Sequence, residues 1–391
     1  MTSHSPPRRL TARTIACFLA SAITLVYHSA APADELPHFK IKRLTEHGGR
    51  LAWYTGLARE LIAYDAVVDE RTAATEVFVM RPDGSGVSCV TCRMSFPKGA
   101  GFVGQPAWHP NGKHLVIQVE NANSKHKRFN HMSWGIDADL WLVSLDGERA
   151  ERIWASAPRH AALHPHFSDD GRLIVFAERN PTRSIASGPL HPWAALDGQN
   201  PWDGWSIHIA TVDIGASGER VLANHRHITP NGSGFYETHS VSPEGRIVYS
   251  FTKGGAPYVD DIFQTDKEGH EIRHLTDSPA TWDEHGAFSP NGRILAFISS
   301  RADPKWRAPR SRVDSLTTEL FARSADGRIH QLTAFNKEAD GAKRYLVSDF
   351  DWDRDGHRIV FQVAPVSRSG KADSPQIWLL EFSVLDPLTN R

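Results

Sequence analysis

The chain has 391 residues, 40% of them hydrophobic and 23% charged, and a formal net charge of −1. A net charge so near zero gives no reason to expect nucleic acid or a general membrane-surface role, and the composition is that of a globular protein. The length allows one large domain or two ordinary ones.

In chain order, residues 1–33 read first, as a signal peptide. Arg8, Arg9 and Arg13 form a basic n-region, Ile15 to Tyr27 an apolar h-region, and Ala31 with Ala33 an Ala-x-Ala site. Cleavage after Ala33 and export to the periplasm or medium are expected. Thr14 stands where a lipobox wants Leu, and Arg8-Arg9 lacks a twin-arginine context. No later apolar run is long enough for a membrane span. Residues 34–391 are expected to form a single, monomeric domain. Cys89 and Cys92 then remain in "SCVTCRM"; Arg93 stands where covalent haem would need His, and a local disulfide is expected.

A repeat follows. "QPAWHPNGKHLVIQVE", "HPHFSDDGRLIVFAER", "THSVSPEGRIVYSFTK", "HGAFSPNGRILAFISS" and "SDFDWDRDGHRIVFQVA" each give a strand, a turn ending in Gly and an alternating strand. Third strands such as "DLWLVSLDGE" and "ELFARSADGR" come next, then fourth strands such as "EIRHLTD" and "RIHQLTA". "RELIAYDAV", "TEVFVMRPDGSG" and "VSCVTC" supply a degenerate first copy. Four strands per unit over about six units predict an all-β, six-bladed β-propeller. "IKRLTEHGG" resembles a fourth strand without the first three, and "QIWLLEFS" a third strand without its fourth. The two should complete one blade, with Ile41 to Thr45 beside Ile377 to Phe382, and hide the sheet edges.

"FSPNGRILAF…ELFARSADGRIHQLT" resembles the TolB-type (WD40-like) propeller repeat, with its Ser-Pro-Asp-Gly turn, Asp-Gly turn and Leu-Thr ending. The resemblance covers essentially the whole chain after residue 33. It implies the six-bladed fold, which serves scaffolds, lyases and peptidase caps alike.

The turns between first and second strands are uniformly short. The connections between second and third strands are long and unequal, as is the link "NHRHITPNGSGFYE". Propeller topology puts the turns at Gly112, Gly171, Gly245, Gly292 and Gly356 on one face and the long connections on the other, where binding segments are expected. Those connections carry Arg128, Trp193, Trp202, Trp306 and Arg307, a set suited to an anionic sugar: the ring stacks on the sugar and the cation pairs its carboxylate. The blander reading is a solvated basic surface anchored by Trp.

Aligned on the turn glycine, Gln105, His164, Thr238, His285 and Asp349 share one position near the start of the channel-lining strand. His166, Glu237, His239, Glu284 and Asp351 surround them. His164 and His166 are two apart on an extended strand and point the same way. Several imidazoles and carboxylates on one ring match the ligand set of a divalent ion (Mn, Zn or Ca), held by His164, His166, His239, His285, Glu237 and Glu284 at the channel mouth on the long-loop face. A wet channel lining that tolerates polar side chains is the competing reading. His109 at a turn reads as structural; His225 and His227 lie in a long link within reach of the site.

"LHPHFSDDG" and "ETHSVSPEG" resemble strings in oligogalacturonate lyases, propellers that hold a divalent metal with axial His residues and use another His as base. The resemblance nominates His164, His166, His239 and His285, with His239 and His285 as catalytic candidates. Two functions of different class follow. One is a metal-dependent lyase acting on an acidic saccharide by β-elimination. The other is a non-catalytic, TolB-like periplasmic propeller that binds a protein or envelope partner. No Gly-x-Ser-x-Gly elbow, phosphate loop or dinucleotide fingerprint is present.

Overall fold

The computed structural model describes residues 39–54, 56, 59–97, 101–124, 135–181, 203–214, 220–253, 259–306, 315–338, 343–367 and 374–383. The expected signal peptide and Arg128, Trp193, Trp202 and Arg307 lie outside them.

The described chain opens with β1 (Phe39–Thr45) and then builds blade one from β2 (Leu51–Tyr54), β3 (Leu61–Asp69), β4 (Ala74–Met80) and β5 (Ser88–Cys89). Blade two is β6 (Val103–Trp108), β7 (His114–Glu120), β8 (Ala138–Ser144) and β9 (Ala150–Trp154). Blade three is β10 (Ala161–Phe167), β11 (Leu173–Arg179), β12 (Trp205–Ile214) and β13 (Arg220–Ile228). Blade four is β14 (Gly234–Val241), β15 (Ile247–Lys253), β16 (Asp261–Thr265) and β17 (Arg273–His274). Blade five is β18 (Asp283–Phe288), β19 (Leu295–Ser299), β20 (Glu319–Arg323) and β21 (Ile329–Gln331), followed by the short helix α1 (Phe335–Glu338). Blade six is β22 (Lys343–Trp352), β23 (Arg358–Ser367) and β24 (Gln376–Phe382), and β1 completes it.

The fold is therefore a six-bladed β-propeller of four-stranded antiparallel blades. Closure follows the expected register: Ile41 faces Leu380 and Thr45 faces Ile377, with Phe39 edge-on to Phe382. Sequence reading missed β2, whose "LAWY" is only four residues long and lacks the repeat's turn.

Alternation explains the packing. Middle strands such as β7 and β19 are buried on both faces because each blade is covered by its two neighbours. The apolar side chains fall into clusters that bridge adjacent blades. One joins Val248 and Ile262 of blade four to Leu295, Phe297 and Phe321 of blade five; another joins Val360 and Leu379 of blade six to Trp53 and Ile62 of blade one. Each large side chain sealed in this way contributes roughly 1.5–3 kcal/mol. The core is thus an annulus of blade contacts around the channel.

The turns are built as their residues require. Gly292 takes a φ of 71°, and its N–H donates to Ser289 O at 2.8 Å while Asn291 Oδ1 accepts from Arg293 N at 3.0 Å. His109 lies between turns, with Nε2 3.3 Å from Gly171 O and its ring edge-on to Phe167. Cys89 and Cys92 form the local disulfide. His225 and His227, read from the sequence as a loop, belong to β13, because that outer strand is nine residues long.

Deleting residues 39–45 removes the outer strand of blade six and bares the β24 edge. The truncated chain should unfold at a lower temperature and elute partly as oligomers on size exclusion. An unchanged melting temperature and a monomeric profile would show that closure by β1 is dispensable.

Candidate functional site

The inner strands share a distortion. The ladder slips between Gly104 and Ala107 in β6, Leu163 and His166 in β10, Thr238 and Ser240 in β14, Glu284 and Ala287 in β18, and Val347 and Phe350 in β22. A bulge inserts one residue into its strand and re-aims a side chain. Gln105, His164 and His285 occupy it with φ of 48°, 49° and 53°, a left-handed conformation that costs a non-glycine residue about 1–2 kcal/mol. β14 has no left-handed residue at its bulge, and there His239 rather than Thr238 joins the other imidazoles.

The result is a buried cluster. His164, His239 and His285 each offer a ring nitrogen, and these atoms lie within 4.8 Å of one another. The ring centroids are 5.2 Å apart for His164 and His285, 4.9 Å for His239 and His285, and 6.2 Å for His164 and His239. His164 and His239 are only 8% and 7% exposed. Glu237, Glu284 and His285 form an overlapping set. Of the metal ligands nominated from sequence, the structure brings together five: His164, His239, His285, Glu237 and Glu284. The sixth, His166, stands beside them.

Burial dominates the electrostatics. It pushes His164 and His239 well below the ordinary imidazole range, and the neighbouring His285 pushes both further. Burial, and next to it the charge of Glu284, lifts Glu237 well above the carboxylate range. His164 Nε2 and Glu237 Oε1 are in contact at 3.0 Å, and burial disfavours charge on both. The contact occupies one ring nitrogen and leaves the other for a ligand. Trp282 Nε1 donates to Glu284 Oε2 at 2.8 Å, fixing that carboxylate.

Two imidazoles have spare capacity. Neither ring nitrogen of His239 has a hydrogen-bond partner, and neither does His166 Nε2. Burial holds His166 down to about 4, against the raising effect of a hydrogen bond that the ring donates to the Thr238 backbone. Since Nε2 is unpartnered, that bond runs through Nδ1 and leaves the Nε2 lone pair open. A buried polar atom without a partner costs about 1–3 kcal/mol. Three imidazoles, one of them wholly unpartnered, fit a divalent transition ion.

A cavity of 880 Å³ leads to this cluster. His166, His239 and Asp351 line it at depth; Tyr54, Trp108, Phe167, Val241, Phe288 and Trp352, one residue from each blade, form a collar. Pro110, Asp169, Pro243, Pro290 and Arg354 of the short turns lie at its outer end. This cavity therefore runs from the bulges towards the short-turn face, while residues 125–134, 182–202 and 307–314 of the long connections expected at the mouth lie outside the described residues. Trp306, expected on an exposed connection, is instead 4% exposed and packs in the cluster with Trp205, Phe235 and Trp282.

Hydrogen bonds tie the centre to its neighbours. Asp65 accepts from Gln105 N at 3.1 Å, Gln105 Oε1 from His164 N at 3.1 Å, and His164 O from Thr238 Oγ1 at 2.7 Å. Asp351 of blade six accepts from Trp53 N of blade one at 2.8 Å.

A second cluster was not found from sequence. Glu178, His208 and His227 of blade three gather on one sheet face. The signal was available in "SIHIATV", a lone His at an inward position of an otherwise apolar strand.

No family model matches the chain. No curated protein matches it either. Solved structures are distantly similar to it. A TolB-like protein from Agrobacterium tumefaciens is 15% identical, with 76% of this chain and 95% of that one covered at a TM-score of 0.43. An oligogalacturonate lyase in complex with manganese is 11% identical, with 90% and 95% covered at 0.47. A puromycin hydrolase is 14% identical at 0.48; 91% of this chain matches only 49% of that one.

Two outcomes test the site's geometry. Glycine accepts a left-handed backbone freely, so His164→Gly should be more stable than His164→Ala by about 1 kcal/mol in denaturant unfolding. Equal stabilities would mean the bulge carries no strain. Burial pushes Asp351 up to about 7, so the folded state holds its proton more tightly than the unfolded chain. Stability should then fall as pH rises from about 4 to about 7, and Asp351→Asn should flatten that slope.

Proposed function

We propose that the exported chain is a metal-dependent lyase of acidic saccharides, with its centre at the inner end of the cavity. The observation that carries this reading is the trio His164, His239 and His285, buried and mutually within ligand distance, in which His239 has no hydrogen-bond partner. A divalent ion held there supplies positive charge opposite a uronate carboxylate and acidifies the proton α to it. Glu237 orients His164, and Glu284 flanks His285 at 3.8 Å. His166 is the better base, because the trio would be committed to the ion while His166 lines the cavity and keeps Nε2 unpartnered. The collar supplies aromatic faces for stacking on a sugar, and Arg354 is the one Lys or Arg that lines the cavity among the described residues.

The second reading is a non-catalytic envelope propeller. The apolar collar favours it, because aromatic and proline rings suit an inserted protein segment as well as a sugar.

Purified protein should contain one tightly held Mn²⁺ or Zn²⁺ at the channel, and His239→Ala or His285→Ala should lose it while keeping the β-sheet circular dichroism of the parent. Incubation with oligogalacturonate should produce the ultraviolet absorbance of an unsaturated uronate, and His166→Ala should lower that rate by about 10²–10⁴-fold with metal content unchanged. Bound metal without any elimination product from uronate oligomers would overturn the lyase reading. Unchanged metal content in His285→Ala would overturn the centre itself and leave the binding propeller.

A further inference from the structure

Blade three carries a second group of ligand type, on its outer strands and away from the channel imidazoles. Glu178 of β11, His208 of β12 and His227 of β13 share one sheet face: His208 is directly opposite His227, and Glu178 pairs with Ser206 two residues along the same strand. His227 Nδ1 lies 3.0 Å from Glu178 Oε2, and His208 Nδ1 lies 3.7 Å from the same oxygen. His208 is wholly buried, stacked on Phe176 at 4.5 Å and edge-on to Trp154 at 4.4 Å.

The proton positions follow from a chain of contacts. His225 Nε2 is 3.0 Å from Leu222 O, a group that only accepts, so this nitrogen carries hydrogen. With Nε2 serving as the donor, Nδ1 is the acceptor of its 3.1 Å contact with His208 Nε2, which donates. His208 Nδ1 is left with a lone pair, makes no hydrogen bond, and faces a carboxylate oxygen that also offers only lone pairs. Two electron-rich atoms aimed at one point call for a cation between them.

We propose that Glu178, His208 and His227 form a second divalent metal site, with His225 as the residue that fixes the His208 tautomer. The separations of 3.0 and 3.7 Å bracket the edge, about 3.4 Å, of a tetrahedron whose metal–ligand arms are about 2.1 Å. Two imidazoles and one carboxylate suit Zn²⁺ or Co²⁺ rather than an all-oxygen ion such as Ca²⁺. His227 is 32% exposed, so a water completes the coordination from that side. The ion cross-links the three outer strands of blade three, and His208 ties it into the contact with Trp154 of blade two.

The test uses the full-length mature protein in a His239→Ala/His285→Ala background, stripped with chelator and titrated with Co²⁺ alone. That protein should bind one equivalent with the visible absorption of a low-coordinate centre, and its thermal midpoint should rise on loading. His227→Ala, a change at a part-exposed side chain, should abolish both effects, and His225→Ala should weaken binding about 10–100-fold. Should the background variant fail to fold, the parent protein should fall from two equivalents to one on His227→Ala. Binding that His227→Ala leaves untouched, or no Co²⁺ bound in the background protein, would overturn the site; a shared proton between Glu178 and His208 would then fill the gap. The channel reading stands or falls separately, on the equivalent lost with His285→Ala.

Discussion

The innermost strand of every blade has a sheet partner on one side only, and its other edge faces the channel. Six such strands converge, too far apart to pair with each other and too enclosed for bulk water to satisfy them. Side chains fill that gap. Gln105 accepts from His164 N, Thr238 donates to His164 O, Ser240 to Gly286 O, the Trp352 indole to Ala287 O, Asp351 accepts from Trp53 N, and the Trp108 indole donates to Ala52 O. Every link passes between neighbouring blades, so the belt holds the ring at its axis as the apolar annulus holds it further out.

The bulges belong to the same solution. A regular strand would send alternate side chains into the blade interfaces; the inserted residue turns one of them towards the axis instead. Where that residue is Gln105 it serves the belt. Where it is His164 it contributes to both the belt and the cluster, where it is His285 to the cluster, and the left-handed backbone is held by neighbours that over-determine it.

Much of this was legible in the sequence. The turn glycines and two-residue alternation gave the blades, and the complementary ends gave the closure, because both are local patterns repeated along the chain. Glu237, Glu284, His164 and His285 were found through their shared repeat position. Alignment offered Thr238 where the structure uses His239, since a one-residue slip in the ladder leaves no mark in a row of letters. Trp306 looked like a loop aromatic because it follows "RADPK", yet it is buried in the cluster with Trp205, Phe235 and Trp282. His208, Glu178 and His227 escaped notice because they meet through cross-strand neighbours inside one blade, whereas the repeat compares equivalent positions between blades.

The imidazoles come from blades three, four and five alone, while the corresponding positions of blades two and six hold Gln105 and Asp349. Six similar blades would by themselves present a guest with six nearly interchangeable poses, differing by successive turns about the axis. A floor that is nitrogen-rich on one side and bears Asp351 on the other removes that degeneracy. A molecule descending the cavity with one anionic end has a single heading that brings this end over the imidazoles, so a scaffold of near-rotational symmetry can still hand its guest a fixed left and right.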